Sequence, residues 1–155
     1  MTLVVLVGGA RSGKSTLAVQ RARAQGGPVT FIATGEARDE EMAERIARHQ
    51  AERPSEWTTV EEPVELRRAL AGVPGDHTVI VDCLSLWIAN GGDGAVPAPR
   101  DGLTIAVTNE VGLGIVPVNA LARAYRDELG RVNASWVAAA DEAYFVVAGR
   151  ALRLS

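Results

Sequence analysis

The chain has 155 residues, with 16 Lys+Arg against 19 Asp+Glu, a formal net charge of -3, 47% apolar and 23% charged residues. This length predicts one compact domain over residues 1–155, and the proportions exclude disorder and collagen-like repeats. The lack of a basic excess argues against a nucleic-acid binder, and a lone cysteine, Cys83, excludes a disulfide framework or a cysteine-only zinc cluster and fits a reducing cytoplasm.

Met1 to Val7 is a short apolar run that breaks at Gly8 and Gly9, so it is not expected to act as an export signal. No apolar stretch reaches the roughly 18 residues of a membrane helix, and a cytoplasmic protein with no membrane span is expected. Leu3 to Val7 is apolar on both faces and predicts a buried parallel strand. Lys14 to Gln25 reads as a helix stopped by Gly26-Gly27-Pro28, and Val29 to Ala33 as a second strand. Asp39 to Ala51 is the next helix, with Asp39 as N-cap and Met42, Ala43, Ile46 and Ala47 on one face. Trp57 to Val60 is a weaker strand, Pro63 opens a helix from Val64 to Leu70, and Thr78 to Asp82 is another buried strand.

Leu84 to Ala89 predicts a short helix, and Asn90 to Gly102 an exposed, mobile loop. Leu103 to Thr108 returns to strand, Val118 to Ala140 carries a long helical pattern with a break expected near Gly130, and two strands meeting at Gly149-Arg150 finish the chain. The alternation argues for an α/β, three-layer architecture with a mostly parallel central sheet and antiparallel C-terminal strands.

The sharpest local signal is GGARSGKS at Gly8 to Ser15, which matches G-x-x-x-x-G-K-S between a strand and a helix. Loop N–H groups can converge on phosphate oxygens, and the helix N-terminus adds partial positive charge. Lys14 is placed to reach the terminal phosphates, and Ser15 to offer its hydroxyl to Mg²⁺. Such a P-loop calls for an acidic residue at the end of a neighbouring strand, to hold Mg²⁺ directly or through water, and Asp82 fits. A lesser alternative is that Asp82 caps the following helix, and both roles can hold at once. Cys83 reads as a small packing residue.

His49 shares an i, i+4 stripe with Arg45 and Arg53 beside the Met42 and Ile46 face. An imidazole there could attack phosphorus while the guanidinium groups neutralise charge, but the pattern alone fits a solvated helix face with a boundary histidine better. His77, the other histidine, is expected at the surface.

Assembled in order, GGARSGKS (8–15), FIAT (31–34), DEEMAERIARHQAERP (39–54), the strand from Trp57 to Glu61, VDCLSLW (81–87), TNEVGLGIVP (108–117) and LARAYRDELGRVNASWVAAADEAYFVVAG (121–149) resemble the bifunctional adenosylcobinamide kinase / adenosylcobinamide-phosphate guanylyltransferase family. The P-loop itself is shared by many nucleotide-binding enzymes; R-x-x-x-H-x-x-x-R-P and N-E-V-G-x-G-I-V-P are far more specific. The resemblance implies a P-loop NTPase-like fold and two reactions at one nucleotide site. Adenosylcobinamide is phosphorylated by ATP or GTP, and adenosylcobinamide phosphate then receives GMP from GTP through a guanylyl-histidine, at His49.

By the same resemblance, Gly8, Gly9, Ala10, Arg11, Ser12, Gly13, Lys14 and Ser15 hold the triphosphate, and Ala33, Thr34 and Gly35 line the nucleotide site. Arg53, Glu61 and Asp82 also face it. The ligands implied are GTP, ATP and Mg²⁺ at Ser15 and Asp82, and the assembly implied is a homotrimer. Gln50 stands where the family carries a further basic residue. Asn109 and Glu110 are expected close to the site, since they end a strand where ligands bind in open α/β sheets.

The main departure is between Trp87 and Leu103, where the family has a longer helical crossover. The shortfall is either a true deletion or a segment missing from the sequence, and a true deletion is expected to impair subunit contacts or corrinoid binding. Two further readings stay open on the residues themselves: a monofunctional P-loop small-molecule kinase in which His49 only binds phosphate, and a GTP-binding protein impaired in catalysis.

Overall fold

A computed structural model describes residues 2–154. In chain order the elements are β1 (Thr2–Gly8), α1 (Lys14–Gln25), β2 (Val29–Ala33), α2 (Glu40–Ala51), β3 (Thr58–Glu61), α3 (Leu66–Ala71), β4 (Thr78–Asp82), α4 (Leu84–Ala89), β5 (Leu103–Asn109), α5 (Ala120–Ala139), β6 (Glu142–Val147) and β7 (Arg150–Leu154). They form a seven-stranded sheet in the order β3-β2-β4-β5-β1-β6-β7. The expected mostly parallel sheet is present; β6 is parallel to β1, so β7 alone runs antiparallel.

The uninterrupted apolar runs are explained by cover on both faces. Leu3, Val5, Val7, Val79, Val81 and Ala106 pack with Leu66, Leu84, Trp87, Leu129 and Trp136 of α3, α4 and α5. Val4, Leu6, Phe31, Ile80, Ile105 and Val107 pack with Ala18 and Ala22 of α1 on the opposite face. β1 pairs in register with β5, Gly8 opposite Asn109, and β4 pairs with β2, Asp82 opposite Ala33. The C-terminal ends of four central strands therefore meet at one edge, where the P-loop begins.

Several expectations are corrected. α5 runs unbroken through Gly130, whose exposed position leaves the helix hydrogen bonds intact. α3 starts at Leu66 rather than Val64, because the Glu62 carboxylate accepts from the Val64 and Glu65 N–H groups and holds that stretch as a turn. Asp39 caps α2 as expected, its carboxylate accepting from Met42 N–H at 2.7 Å, but Ala43 and Ala47 are exposed and no residue of the helix is fully buried. His77 is half-buried, its Nδ1 2.8 Å from the Thr30 hydroxyl.

The segment 90–102 is a packed strap. Trp136 Nε1 donates to the Gly94 carbonyl at 3.2 Å, Arg67 pairs with Asp93 at 2.6 Å, and Arg100 donates to the Leu103 and Pro74 carbonyls. Its glycines allow close approach: a Cβ on Gly92 would run into the Trp87 ring, and one on Gly94 (φ +74) into Val132. The strap closes the β4-to-β5 crossover with only the short helix α4, as expected, but packed rather than mobile.

Two interactions at the flanks of β1 lead to predictions. Arg21 of α1 donates two hydrogen bonds to Glu142 of β6, at 2.9 and 3.1 Å, and the Tyr144 hydroxyl adds a third at 2.7 Å. The Arg21 bonds and then the Tyr144 bond pull the Glu142 carboxyl from 4.5 down to about 2. A depressed carboxyl pKa stabilises the fold above its unfolded value and loses that contribution as pH falls. The stability advantage of the native chain over Glu142→Gln, measured by denaturant unfolding, is therefore expected to shrink between about pH 4.5 and pH 2.

At the other end of β1, a Cβ on Gly8 would press on the Val146 carbonyl and come within 2.8 Å of Ser12 Oγ. Gly8→Ala is expected to cost about 1–3 kcal/mol in the same unfolding assay, because the obstructing carbonyl belongs to a paired strand and cannot turn away.

Candidate active site

Gly13 ends the phosphate loop at φ +100, which only glycine adopts freely, and it leaves the N-terminus of α1 without a side-chain cap. The first-turn N–H groups of α1 are thus open to an anion. Arg11 also sits at positive φ, with its side chain exposed. Lys14 is buried, its ammonium donating to the Gly9 carbonyl at 2.5 Å and lying 3.4 Å from Ser12 Oγ. Burial lowers its pKa, an effect opposed by the neighbouring Cys83 and Asp82. The β6–β7 turn braces the loop from outside, where Gly149 N–H donates to the Ser12 carbonyl at 2.7 Å.

The Ser15 hydroxyl donates to Asp82 Oδ2 at 2.8 Å, across 67 positions of sequence. Asp82 does not cap α4; Cys83 does, its sulfur accepting from Leu86 N–H at 3.5 Å. The thiol is buried and pushed up to about 11, chiefly by desolvation, which suits packing and not nucleophilic attack. Thr34 is fully buried, and its hydroxyl donates to the Cys83 carbonyl at 2.6 Å while accepting from Cys83 N–H at 2.9 Å. Its side chain is therefore a strut between the loops that follow β2 and β4, and only its neighbours Ala33 and Gly35 keep surface there.

α2 and the turn that follows it bring His49 and Arg53 to this edge. Together with Ser15, Asp82, Phe31 and Arg23 they line a cavity of about 270 Å³ between α1 and α2. Arg53 lies 3.6 Å over the Phe31 ring and donates to the Thr59 hydroxyl at 3.3 Å. Desolvation lowers the Arg53 pKa, against the pull of Asp82 and Glu61. Glu61 is exposed and accepts from Gln50 Nε2 at 3.2 Å. Gln50 thus fastens α2 to β3. Arg45 is turned away to Glu41, at 3.6 Å, so the stripe of three reaches the cavity through His49 and Arg53 only.

A larger polar hollow, about 570 Å³, opens at the other end of the sheet beside Arg21, Asp76, Asp101 and Glu142. None of the expected site residues lines it. Among the described residues, no group of three or more His, Cys, Asp or Glu could hold a metal ion, and no helix is long and apolar enough to cross a membrane.

Two features gave no signal in sequence. Asn90, in a stretch that reads as loop, donates to the Thr34 carbonyl at 2.7 Å and the Pro63 carbonyl at 3.2 Å and accepts from Arg38 at 3.0 Å, tying three loops at the site edge. After β5, Arg126 donates to the Gly112 and Gly114 carbonyls and Arg123 to those of Pro117 and Val118. These bonds satisfy the loop backbone internally and leave Leu113, Ile115, Val116, Val118 and Leu121 in solvent.

Residues 4–154 match the family described as cobinamide kinase / cobinamide phosphate guanyltransferase. The bifunctional adenosylcobalamin biosynthesis protein CobP of Pseudomonas aeruginosa is 40% identical, over 94% of this chain and 92% of its own. Its counterpart CobU of Escherichia coli K12 is 36% identical, over 98% and 99%. That second alignment runs over 180 positions, more than this chain possesses, so the relative carries residues that are lacking here. Among solved structures, the flagellar accessory protein FlaH of Methanocaldococcus jannaschii superposes with a TM-score of 0.51 at 15% identity, over 99% of this chain and 78% of that one, a likeness of fold alone. With a family match over nearly its whole length and full-length relatives above 30% identity, the chain belongs to the cobinamide kinase / cobinamide phosphate guanyltransferase family.

Proposed function

We propose that the chain phosphorylates adenosylcobinamide with ATP or GTP and then transfers GMP from GTP to adenosylcobinamide phosphate, through a guanylyl group carried on His49. The observation that carries this reading is that His49, Arg53, Ser15 and Asp82 line one cavity at the head of the P-loop. A nucleophile, a cation and the phosphate-binding loop are thereby available to one nucleotide.

In the first reaction the hydroxyl oxygen of the aminopropanol arm bonds to the γ-phosphorus, the bond to the β–γ bridging oxygen breaks, the diphosphate leaves and the hydroxyl proton passes to solvent. The loop N–H groups from Gly8 to Ser15 hold the phosphates. Lys14 exchanges the Gly9 carbonyl for a phosphate oxygen, which its partial desolvation favours. In the second reaction an imidazole nitrogen of His49 bonds to the α-phosphorus of GTP and pyrophosphate leaves. A phosphate oxygen of adenosylcobinamide phosphate then bonds to that phosphorus, the P–N bond breaks and His49 leaves protonated, giving adenosylcobinamide-GDP. Arg53 neutralises charge on the group in transit.

Ser15 and Asp82 present hard oxygen donors in contact with each other, which fits Mg²⁺, and the ion would supply charge neutralisation at the phosphates. The same reading makes residues 1–155 one nucleotide-binding unit of the cytoplasm that works as a homotrimer. The exposed apolar side chains from Leu113 to Leu121 support a subunit contact, since assembly would remove them from water.

Incubation with α-labelled GTP tests the relay. An acid-labile, alkali-stable protein label is expected on the native chain and none on His49→Ala, which keeps measurable kinase activity. Lys14→Ala is expected to lose both reactions and to bind triphosphate about 10- to 100-fold more weakly, as loss of a charged hydrogen bond implies. No label on the native chain, with phosphorylation intact, would leave a monofunctional kinase.

A further inference from the structure

The polar hollow of about 570 Å³ lies at the end of the sheet opposite the P-loop, where β1, β4, β5 and β6 begin and α1 ends. The sheet register gathers these starts: Thr2 pairs with Leu103, and Val4 with Glu142. Ile80 packs with Ala18 and Ala22 of α1, so strand alternation puts Thr78 on the α1 side too, in the lining of the hollow. Four residue steps of β4, about 13 Å at the rise of a strand, separate Thr78 from Asp82. The hollow shares no lining residue with the cavity that holds His49 and Asp82.

Asp76 and Asp101 come to the hollow on two turns that are pressed together. A Cβ on Gly102 would run into the His77 carbonyl and come within 2.8 Å of the Gly75 carbonyl, and one on Gly75 would lie 3.6 Å from Asp101 Oδ2. Arg100 clamps the same turns, donating to the Leu103 carbonyl at 3.3 Å and the Pro74 carbonyl at 2.8 Å, and its charge is divided between Asp101 and Asp76. Two carboxylates against one guanidinium leave this part of the lining net negative. Arg21 and Glu142, also in the lining, answer each other through their two hydrogen bonds.

Two further features favour a cation here. Gln25 and Gly26 line the hollow, so it borders the carbonyl end of a 12-residue helix, where partial negative charge collects. Arg23, the basic residue of that last turn, lines the other cavity instead. Thr78 is only 3% exposed, and none of the described residues hydrogen-bonds its hydroxyl. A buried hydroxyl left without a partner is costly, and a donor placed in the hollow removes that cost. Among the described residues no group of three or more His, Cys, Asp or Glu could hold a metal ion, so the charge calls for an organic cation. The volume falls in the range of about 300–1,000 Å³ found for small-molecule sites.

We propose that this hollow binds a small organic cation through a primary ammonium group, with Asp76 and Asp101 neutralising its charge and the Thr78 hydroxyl accepting one of its N–H groups. An ammonium carries three donors and no acceptor. That inventory matches a lining of two carboxylates, an uncommitted hydroxyl and the end of a helix, all of which accept. Backbone contacts between the two turns hold the carboxylates in place before the ligand arrives, so little ordering is needed on binding.

Isothermal titration calorimetry of the full chain with 1,4-diaminobutane, and with 1,4-butanediol as its uncharged counterpart, is the test. Saturable binding of the diamine is expected, with the diol at least about 10-fold weaker. Asp101→Asn and Thr78→Val are each expected to weaken the diamine about 10-fold, as loss of a hydrogen bond to a charged group implies. Thr78→Ser, which keeps the hydroxyl, is expected to stay within about 2-fold of native and so separates the hydrogen bond from packing. Asp76→Asn takes the place of Asp101→Asn should that variant not fold. No saturable binding of the diamine, equal affinity for the diol, or native affinity in either the carboxylate variant or Thr78→Val overturns the inference. The titration contains neither nucleotide nor cobinamide, so its outcome is read apart from the proposed activity.

Discussion

The contact between the Ser15 hydroxyl and the Asp82 carboxylate, 2.8 Å long, is the point on which the site depends. One group comes from the first turn of α1 and the other from the end of β4, two strands away from β1 in the sheet. They meet because β1, β5 and β4 are parallel, in fixed register, and end at one edge. A one-residue slip of β4 would turn Asp82 to the other face and bury a carboxylate against α4. The buried, unpaired carboxylate makes that slip costly, so the register of the sheet also fixes the Ser15–Asp82 contact.

The central strands, α1, the Asp39 cap and the P-loop were readable because each is a local pattern: an uninterrupted apolar run, a capping side chain, a glycine signature. Asp82 was readable because it follows such a run. The division of labour after it was not, since Cys83 caps α4 and leaves the carboxylate to Ser15. Thr34 shows another limit. Its place beside the nucleotide loop could be anticipated, but two bonds from one hydroxyl to a single residue 49 positions away are a property of tertiary packing. Asn90 and the buried contacts of Thr108, which donates to Asn133 Oδ1 at 2.6 Å and lies 3.4 Å from Ser85 Oγ, are invisible for the same reason, because such a residue acquires meaning only from partners brought by other elements.

The strap at residues 90–102 is where local rules mislead. Glycine and proline punctuate loops, and the composition reads as mobile. Here glycine serves close approach: the backbone lies against Trp87 at Gly92 and against Val132 at Gly94. Trp87 and Trp136 meet edge to face at 6.0 Å and supply the bulk that covers this part of the sheet. The indole N–H groups are satisfied by the Val64 and Gly94 carbonyls, so two large aromatic residues and a short length of irregular chain complete the layer without orphaned polar groups. The connection is shorter than a helical crossover, yet β4 and β5 keep their parallel register.

The basic residues bear on the same economy of backbone. Fifteen of the 16 are arginine and one is lysine. Arg100, Arg123 and Arg126 each donate to two main-chain carbonyls, and Arg21 grips both oxygens of one carboxylate. A planar fork can hold two acceptors at fixed separation, which an ammonium on a flexible stem does poorly. The P-loop imposes the opposite requirement. The cation there sits inside a tight turn, is buried, and in the proposed reaction exchanges the Gly9 carbonyl for a phosphate oxygen. A compact charge with three rotatable donors can make that exchange, whereas a guanidinium would need room that the loop, pressed between β6 and the Gly149 turn, does not offer. The single lysine therefore stands at the one basic position where a point charge is favoured over a fork.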